Sequence, residues 1–518
     1  MRAALLPSLA TAALVVLGLA PPTAPADAPP LDAAAEAAAR PAQPSAASSL
    51  TRRLDDILDD PALPTLLWGA YVADAATGEP LYARNATLPL IPASNLKLVT
   101  TAAALDVLGP EHRFETALYF SGDESRPDTL RGDLVLVGGG DPSLGSRALT
   151  RAELPTGQAS VYGDDPFKAW AEALARQGVR RIEGRLVGID DALADEPYAA
   201  GWDLDHVVRA EWAQPAGGLS YGDNLAVVDV AGTRPGQPAS VSVQPEGFAE
   251  VQSTLTTRSG RRGYSPFSAI RQMGTERIEV DGRVTARYRG AARVPIENPT
   301  RFALYHLLDR LRAAGIDADL RPVDADDLPN GSKPRLEGAD PLFVHHSPPL
   351  WMILREINRK SNNLYAEHVF RALTPRGDTR SAGRQTEDVL KAFGIDTDGF
   401  SQRDGSGLSR KDLITPQALG ALLAAMAQHE HGAAYQATLA AGGDPSTTLR
   451  YRMRGLPVLA KTGSLEHVRA LSGYVTAADG RLLTFSLIGN NYTGRSSTIT
   501  RTQDRLVAAL AQSRTDDA

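Results

Sequence analysis

The stretch LIPASNLK, residues 90–97, places Ser94 and Lys97 three positions apart at the start of a predicted helix over residues 95–108. A spacing of i and i+3 puts both side chains on one helix face, one turn apart. A serine becomes a strong nucleophile when a neighbouring base takes its proton, and a lysine is that base only when its pKa is depressed. The alternative interpretation is an ordinary N-cap serine beside a solvated lysine.

A second candidate motif is SNN at residues 361–363, which lies between predicted helices at residues 349–359 and 364–373. On a connecting loop, the hydroxyl of Ser361 and the carboxamide of Asn363 can point into one cleft. Taken alone, the motif is equally explained as a turn followed by a helix N-cap.

The third motif is KTGS at residues 461–464, which follows the apolar sequence VLA and is predicted to lie on a strand. Lys461 supplies positive charge and Thr462 a hydroxyl, while Gly463 allows the backbone of a ligand to approach closely. The three motifs occur in the order Ser-x-x-Lys, Ser-x-Asn, Lys-Thr-Gly, and each contributes a different part of a catalytic site.

Lysine is scarce in this chain, which takes most of its positive charge from arginine. The seven lysines are Lys97, Lys168, Lys333, Lys360, Lys391, Lys411 and Lys461. Two of the seven lie in the motifs. Because arginine is not deprotonated in proteins, only lysine of these two cationic side chains can accept a proton, and this distribution favours catalysis by a lysine-activated serine.

Composition excludes several other classes of protein. The chain has 518 residues, of which 43% are hydrophobic, so it can form several domains with sizeable cores. Its net charge is -7 and it has no long basic run, which argues against nucleic acid as a partner. It contains no cysteine, which excludes disulfides, thiol catalysis and cysteine-ligated zinc.

The N-terminus has the pattern of a secretory signal peptide, predicted to be residues 1–26. Arg2 precedes an apolar run, and Ala24 and Ala26 form an A-x-A cleavage site. Residues 27–48 are rich in Ala and Pro and are predicted to be a flexible leader. We therefore expect an exported protein, periplasmic or otherwise extracytoplasmic; the alternative is a retained membrane anchor.

The two ends of the chain have related patterns. A hairpin is predicted over residues 66–83, and a second one over residues 471–488 precedes a last helix at residues 501–511. That last helix is predicted to pack on a sheet, with a membrane surface as the alternative.

The middle of the chain alternates short strands with Gly- and Pro-rich turns, and adds helices near residues 166–177 and 299–314. We interpret residues 114–337 as an inserted region of two small modules. The remaining residues, 49–113 and 338–518, are then predicted to form one discontinuous domain.

Together the three motifs resemble those of the penicillin-binding proteins and serine β-lactamases. The stretches LIPASNLK, DGSGLSR at residues 404–410 and AKTGSL at residues 460–465 are similar to the D-alanyl-D-alanine carboxypeptidase/endopeptidase family, the low-molecular-mass class C penicillin-binding proteins. The interval of 267 positions between Ser94 and Ser361 resembles the pair of domains that this family inserts between its first two motifs.

The resemblance implies an α/β (α+β) fold: a transpeptidase-like domain with an antiparallel sheet flanked by helices, interrupted by the inserted region. It implies an exported serine D,D-peptidase that acts on peptidoglycan stem peptides. Such an enzyme removes terminal D-alanine or cleaves D-alanine–diaminopimelate cross-links through an acyl-enzyme, and β-lactams inhibit it covalently. No cofactor, metal or nucleic acid is expected, and a weak membrane association is left open.

The resemblance also implies catalytic roles. Ser94 is expected to attack the carbonyl of the penultimate D-alanine, with Lys97 as general base, kept partly neutral by nearby Lys461 and by limited solvent. Ser361 is expected to pass the proton to the leaving amine. Asn363 is expected to hold the substrate amide or Lys97.

Substrate contacts are implied in the same way. Lys461 and Thr462 are expected to bind the terminal carboxylate, and the backbone N–H groups of Ser94 and Ser464 to form the oxyanion hole. Gly463 completes this strand motif.

Two further residues are candidates for substrate binding. Arg410 is expected to bind a substrate carboxylate, with a structural ion pair as the alternative. Asp205, near Gly201 and Trp202, is expected to contact the amino end of a diaminopimelate side chain, for which Asp203 is equally available.

Two other functions stay open at this stage. One is a β-lactamase or esterase on the same site, which needs a means of activating the deacylating water. The other is a non-catalytic peptidoglycan-binding or β-lactam-sensing protein, for which Lys97 has no evident use.

Overall fold

A computed structural model of the chain describes residues 48–126, 128–146, 165–260, 266–318, 320–329 and 331–517. The predicted signal peptide and all but the last residue of the predicted leader lie outside the described residues.

The α-helices of the described residues are numbered in chain order. They are α1 Ser49–Leu58, α2 Lys97–Leu108, α3 Pro166–Arg176, α4 Leu204–Val207, α5 Pro299–Ala313, α6 Leu350–Lys360, α7 Asn363–Arg371, α8 Thr379–Ala392, α9 Pro416–Gln428, α10 Gly432–Thr438 and α11 Ser496–Ala511.

The strands are numbered in the same way. They are β1 Leu67–Asp74, β2 Pro80–Arg84, β3 Glu115–Arg126, β4 Thr129–Gly138, β5 Arg181–Glu183, β6 Arg185–Ile189, β7 Leu225–Ala231, β8 Ser240–Gln244, β9 Glu250–Ser253, β10 Thr256–Arg258, β11 Phe267–Arg271, β12 Arg277–Thr285, β13 Arg289–Pro295, β14 Asp317–Ala318, β15 Arg321–Asp324, β16 Phe343–His346, β17 Ala440–Ala441, β18 Val458–Leu465, β19 Val468–Thr476 and β20 Leu482–Asn490.

A six-stranded antiparallel sheet joins the two ends of the chain. Its order is β17-β18-β19-β20-β1-β2, so the N-terminal hairpin extends the C-terminal one. Strand β1 pairs with β20 along its whole length, with Trp68 opposite Gly489. This pairing fixes the first motif, which follows β2, close to the third motif on β18.

Helices cover both faces of this sheet. On one face the core takes residues from α2, α6, α7 and α9, among them Leu98 and Ile357. On the other face α1 and α11 contribute Leu54 and Leu506. Every residue of α2 from Lys97 to Leu105 is buried, so the lysine side chain lies in the interior of the protein.

The other three sheets lie within residues 115–346. The largest has the order β14-β5-β4-β3-β16, with β6 pairing with β4 and β15, and it mixes parallel and antiparallel pairs. Helices α3 and α5 pack on it through Phe167 and Leu307. The two smaller sheets, β13-β7-β8 and the one that joins β9 to β12, share a separate core around Val228 and Val280.

The predicted fold class is confirmed, and most predicted elements lie within a few residues of the observed ones. Helix α8, Thr379–Ala392, was not predicted because its sequence is polar and buries only Ala382, Thr386, Val389 and Leu390. Residues 93–96 form a 3-10 turn, so α2 begins at Lys97, two residues later than predicted.

The last helix, α11, packs beside the six-stranded sheet, as the sequence predicted. Its apolar residues Leu506, Ala509 and Leu510 are buried in the core beside the six-stranded sheet. Among the described residues, no helix combines the length and the apolar character that crossing a membrane requires.

Candidate active site

The first motif lies in a tight turn that is packed against β18. The turn Ala93–Leu96 begins at a buried residue, Ala93, whose φ of 48° is in the left-handed region. Asn95 Nδ2 donates to Ser472 Oγ at 2.7 Å. A side chain at Gly463 would meet the carbonyl oxygen of Pro92 at 2.7 Å, so this glycine allows the turn to approach the strand.

Ser94 and Lys97 are in hydrogen-bond contact, as the i, i+3 spacing predicted. Lys97 Nζ lies 3.0 Å from Ser94 Oγ, and donates to Asn363 Oδ1 at 2.6 Å and to the carbonyl oxygen of Ser406 at 2.6 Å. Lys97 is fully buried, whereas Ser94 is half-buried and reaches the cleft. The interpretation of a solvated lysine is therefore wrong.

Burial lowers the pKa of Lys97 to about 7. The charges of Asp404, Glu367 and Asp412 act in the opposite direction and keep the pKa from falling further. Loss of solvent is thus the main cause of the shift, and it leaves a substantial neutral fraction of this amine near pH 7. Burial also lowers the pKa of Lys461, and the positive charge of Lys97 lowers it further. The charge effect between the two motif lysines is therefore seen at Lys461.

The second motif joins two helices at a left-handed residue. Ser361 ends α6 with φ 62° and ψ 38°, and Asn362 caps α7 by accepting the N–H of Tyr365 at 3.2 Å. The N-cap alternative therefore describes Asn362 correctly. Asn363 points inward, because its Oδ1 accepts from Lys97 and its Nδ2 donates to the carbonyl oxygen of Trp212 at 2.7 Å.

The third motif lies on β18, as predicted. Lys461 is fully buried, and its Nζ donates to Ser361 Oγ at 2.9 Å and to the carbonyl oxygen of Thr462 at 2.7 Å. Thr462 is half-buried and donates to Thr448 Oγ1 at 3.0 Å. Ser464 is exposed.

The motif residues border one open cleft of about 1330 Å³. Its lining includes Ser94, Ser361, Asn363, Thr462 and Ser464. Two hydrogen-bonded groups meet there: Ser94 with Lys97 and Asn363, and Ser361 with Lys461. Such an arrangement can activate a hydroxyl, move its proton and hold an acidic group beside it.

The two outlying candidates lie apart from these groups. Arg410 is exposed, donates to the carbonyl oxygen of Glu466 at 2.8 Å and lines a smaller pocket of about 160 Å³. Asp203 lines the same pocket. The structure does not place Asp205 in the lining; its carboxylate pairs with Arg209 on the surface.

Three buried carboxyl groups around Lys97 were not singled out from the sequence. Glu367 lies four residues after Asn363 on α7, a spacing that places it on the same helix face and could have indicated it. Asp404 lies in the DGSGLSR stretch, where only Arg410 had been considered. Asp412 carries no local signal, and burial raises its pKa well above the usual range.

The chain is similar to known proteins over most of its length. The model of the D-Ala-D-Ala carboxypeptidase 3 (S13) family matches residues 50–513. The chain is 32% identical over 489 residues to a D-alanyl-D-alanine carboxypeptidase of Actinomadura sp., covering 90% of this chain and 85% of that protein. It is 27% identical over 421 residues to D-alanyl-D-alanine carboxypeptidase DacB of Haemophilus influenzae, covering 79% and 82%.

A solved structure shares the fold. The crystal structure of penicillin binding protein 4 (dacB) from Haemophilus influenzae superposes with a TM-score of 0.73 at 23% identity. The match covers 89% of this chain and 99% of that one.

Proposed function

The chain belongs to the D-Ala-D-Ala carboxypeptidase 3 (S13) family and is a serine-type D-Ala-D-Ala carboxypeptidase, and from this premise we propose that Ser94 is its nucleophile. The observation that carries the proposal is the contact between Ser94 Oγ and Lys97 Nζ at 3.0 Å, at the edge of the cleft. The substrate we propose is the D-Ala-D-Ala end, or a D-alanine–diaminopimelate cross-link, of a peptidoglycan stem peptide.

Acylation then proceeds by transfer of one proton. Lys97 Nζ in its neutral form takes the proton of Ser94 as Oγ bonds to the carbonyl carbon of the penultimate D-alanine. The backbone N–H groups of Ser94 and Ser464 would stabilise the oxyanion. When the C–N bond breaks, the leaving amine takes up a proton through Ser361, and water later hydrolyses the ester.

Lys461 suits the terminal carboxylate. Its amine is buried beside Ser361 and Thr462. Burial lowers the pKa of this amine, because it destabilises the protonated form. A substrate carboxylate stabilises that protonated form by pairing with it. Thr462 offers a hydroxyl from the same strand. Selection of a free carboxylate next to the bond that is cut, at the C-terminus or at the D-centre of a cross-link, follows from this pairing.

We assign the smaller pocket to the substrate side chain. Arg410 and Asp203 line it, and one base with one acid matches a side chain that ends in both a carboxylate and an ammonium group. Of the two acids considered, Asp203 is favoured because it lines this pocket, whereas the lining does not include Asp205.

The domain division is part of the proposal. We assign residues 49–113 and 338–518 to the catalytic domain and residues 114–337 to an insertion. The six-stranded sheet uses no strand between β2 and β17, which supports the division. Strand β16 pairs with β3, so we extend the insertion to residue 346 and begin the second segment of the catalytic domain at residue 347. An extracytoplasmic location, and covalent inhibition by β-lactams, complete the proposal.

The test combines covalent labelling with product analysis. Ser94→Ala is expected to abolish the mass increase that benzylpenicillin causes in the wild-type protein, and to stop loss of D-alanine and cutting of cross-linked dimers in purified muropeptides. Ser240→Ala, which removes an exposed strand hydroxyl in the insertion, is the matched control. Labelling of Ser94→Ala at the wild-type rate would refute the assignment.

A further inference from the structure

Lys97 is held from behind by a buried loop, residues 404–409, which we call the Asp404 loop. The carbonyl oxygen of Ser406 accepts from Lys97 Nζ at 2.6 Å. The loop is fixed to α2 a second time, because Thr100 Oγ1 donates to the carbonyl oxygen of Gly405 at 2.8 Å. The position of the Lys97 amine therefore depends on the shape of this loop.

The Asp404 carboxylate is the centre of the loop. It is fully buried, and its Oδ1 accepts the backbone N–H groups of Ser406 at 3.0 Å and Gly407 at 2.5 Å, while Oδ2 accepts that of Ser409 at 2.7 Å. The fourth donor comes from the inserted region: Trp202 Nε1 donates to Oδ2 at 2.8 Å. Each lost donor is costly, because a buried carboxylate has no water to replace it.

A second contact joins the same two segments. Ser409 Oγ donates to the carbonyl oxygen of Ala200 at 2.7 Å. The backbone between these contacts comes so close that a side chain at Gly201, where φ is 96°, would meet Ser409 Oγ at 2.6 Å. The GW pair at residues 201–202 is thus shaped to fit the Asp404 loop.

We propose that Trp202 is a positioning residue for acylation: through the indole hydrogen bond to Asp404 it fixes the loop whose Ser406 carbonyl holds Lys97. The inserted region then contributes to catalysis as well as to substrate contacts. This inference rests on the proposed role of Lys97 as general base.

A plain packing role for Trp202 makes a different prediction. Its ring also contacts an apolar cluster with Ala199, Val207 and Ala213 and lines the smaller pocket. Replacement by phenylalanine keeps an aromatic ring there but removes the donor. Loss of packing lowers stability or side-chain binding, whereas loss of the donor alters the Lys97 amine.

The pH dependence of acylation reports on that amine. Lys97 is influenced by the carboxyl groups of Asp404, Glu367 and Asp412, all of which raise its pKa, and it lies close enough to Lys461 for their charges to interact. When Trp202 no longer donates, the Asp404 carboxylate is held less firmly in its position near Lys97. The acid limb of the profile, where the acylation rate falls as the pH is lowered, then moves toward lower pH. The reason is that the Asp404 carboxylate stabilises the protonated form of Lys97 less well.

The experiment is stopped-flow acylation by benzylpenicillin from pH 5 to 9, resolved into a dissociation constant and an acylation rate constant. For Trp202→Phe we expect the rate constant on the plateau to fall about tenfold, as for loss of one hydrogen bond to a charged group, with the acid limb at lower pH. Trp170→Phe is the control, since Trp170 is a buried tryptophan of the same region that stacks on Phe343 at 5.9 Å.

Each outcome decides the matter. An unchanged rate constant and limb in Trp202→Phe, a change in the dissociation constant alone, or a lower plateau with the wild-type limb would overturn the proposal. If Trp202→Phe does not fold, Ser409→Ala, which removes the contact to Ala200 from the loop side, is judged by the same criteria. Failure of the wild-type protein to acylate would refute the proposed function itself, whatever the variants do.

Discussion

Two buried cations of this chain lie in surroundings that differ in one respect. Arg271, on β11, and Lys97, on α2, are both at most 1% exposed. Arg271 pairs with the carboxylate of Glu297, and also donates to the carbonyl oxygen of Pro295 at 2.9 Å and to Tyr198 Oη at 2.7 Å. The hydrogen-bond acceptors of Lys97 are all neutral: a hydroxyl, an amide and a carbonyl oxygen.

The difference separates a structural cation from a reactive one. An arginine stays protonated, and a carboxylate in direct contact balances its charge. The hydrogen bonds of buried Arg271 therefore link the segments that carry Tyr198, Pro295 and Glu297. A buried lysine without a carboxylate in contact loses its proton readily, which a general base requires. Burial of a cationic side chain is therefore not enough to indicate a catalytic role. The type of cation and the type of its nearest hydrogen-bond acceptors are what indicate it.

The largest expected effect comes from making Lys97 unable to accept a proton. Both Lys97→Met, which removes the amine, and Lys97→Arg, which keeps a permanent charge as at Arg271, should slow acylation by benzylpenicillin about 100- to 10,000-fold. The reason is the same in both variants: no neutral amine is available to Ser94. Measurement is by stopped-flow, with thermal unfolding as the check on folding. A folded Lys97→Arg protein with near wild-type acylation would contradict the general-base assignment.

The next effect concerns stability and not rate. Arg271→Met removes a buried guanidinium and leaves the half-buried Glu297 and the carbonyl oxygen of Pro295 without their donor, and should lower the free energy of unfolding by about 2–4 kcal/mol. Arg277→Met, which breaks the exposed pair with Glu250 at 3.0 Å in the same region, should cost less than about 1 kcal/mol. Urea unfolding measures both. Equal losses in the two variants would mean that burial does not distinguish the pairs.

Local patterns were sufficient for the parts of the site that are close in sequence. The i, i+3 spacing predicted the Ser94–Lys97 contact, and apolar periodicity predicted the helices that carry the first two motifs. The scarcity of lysine pointed to Lys97 and Lys461. These signals work because the residues concerned are neighbours on one element, or are rare enough for each occurrence to be informative.

Contacts made across the fold left no such signal. Trp202 and Asp404 are 202 positions apart, and neither lies in a periodic segment that predicts its partner. Gly463 was interpreted as space for a ligand backbone, whereas the structure shows the Pro92 carbonyl in that space. Local periodicity contains no information about which distant backbone will approach a glycine, or which donor will reach a buried carboxylate.

The smallest expected effect refines the contrast at Lys97 itself. Below about pH 7 Lys97 is increasingly protonated, so the wild-type acylation rate should fall about tenfold per pH unit. The charge of Glu367 raises the pKa of Lys97, and Glu367→Gln removes it while keeping an oxygen to accept the N–H of Gly405, now at 3.0 Å. The fall should then begin at a lower pH than in the wild-type protein.

The shift in Glu367→Gln should be less than about one pH unit, because burial raises the pKa of Glu367 and so reduces the charge that its carboxyl carries near pH 7. Acylation rate constants from pH 5 to 9 measure it. Glu387→Gln, on the surface of α8 where Glu387 pairs with Lys391 at 2.6 Å, should leave the limb in place. If the limb moves to higher pH in Glu367→Gln, or moves equally in both variants, nearby carboxylates do not set the proton affinity of Lys97. The contrast with Arg271 would then rest on the hydrogen-bond acceptors alone.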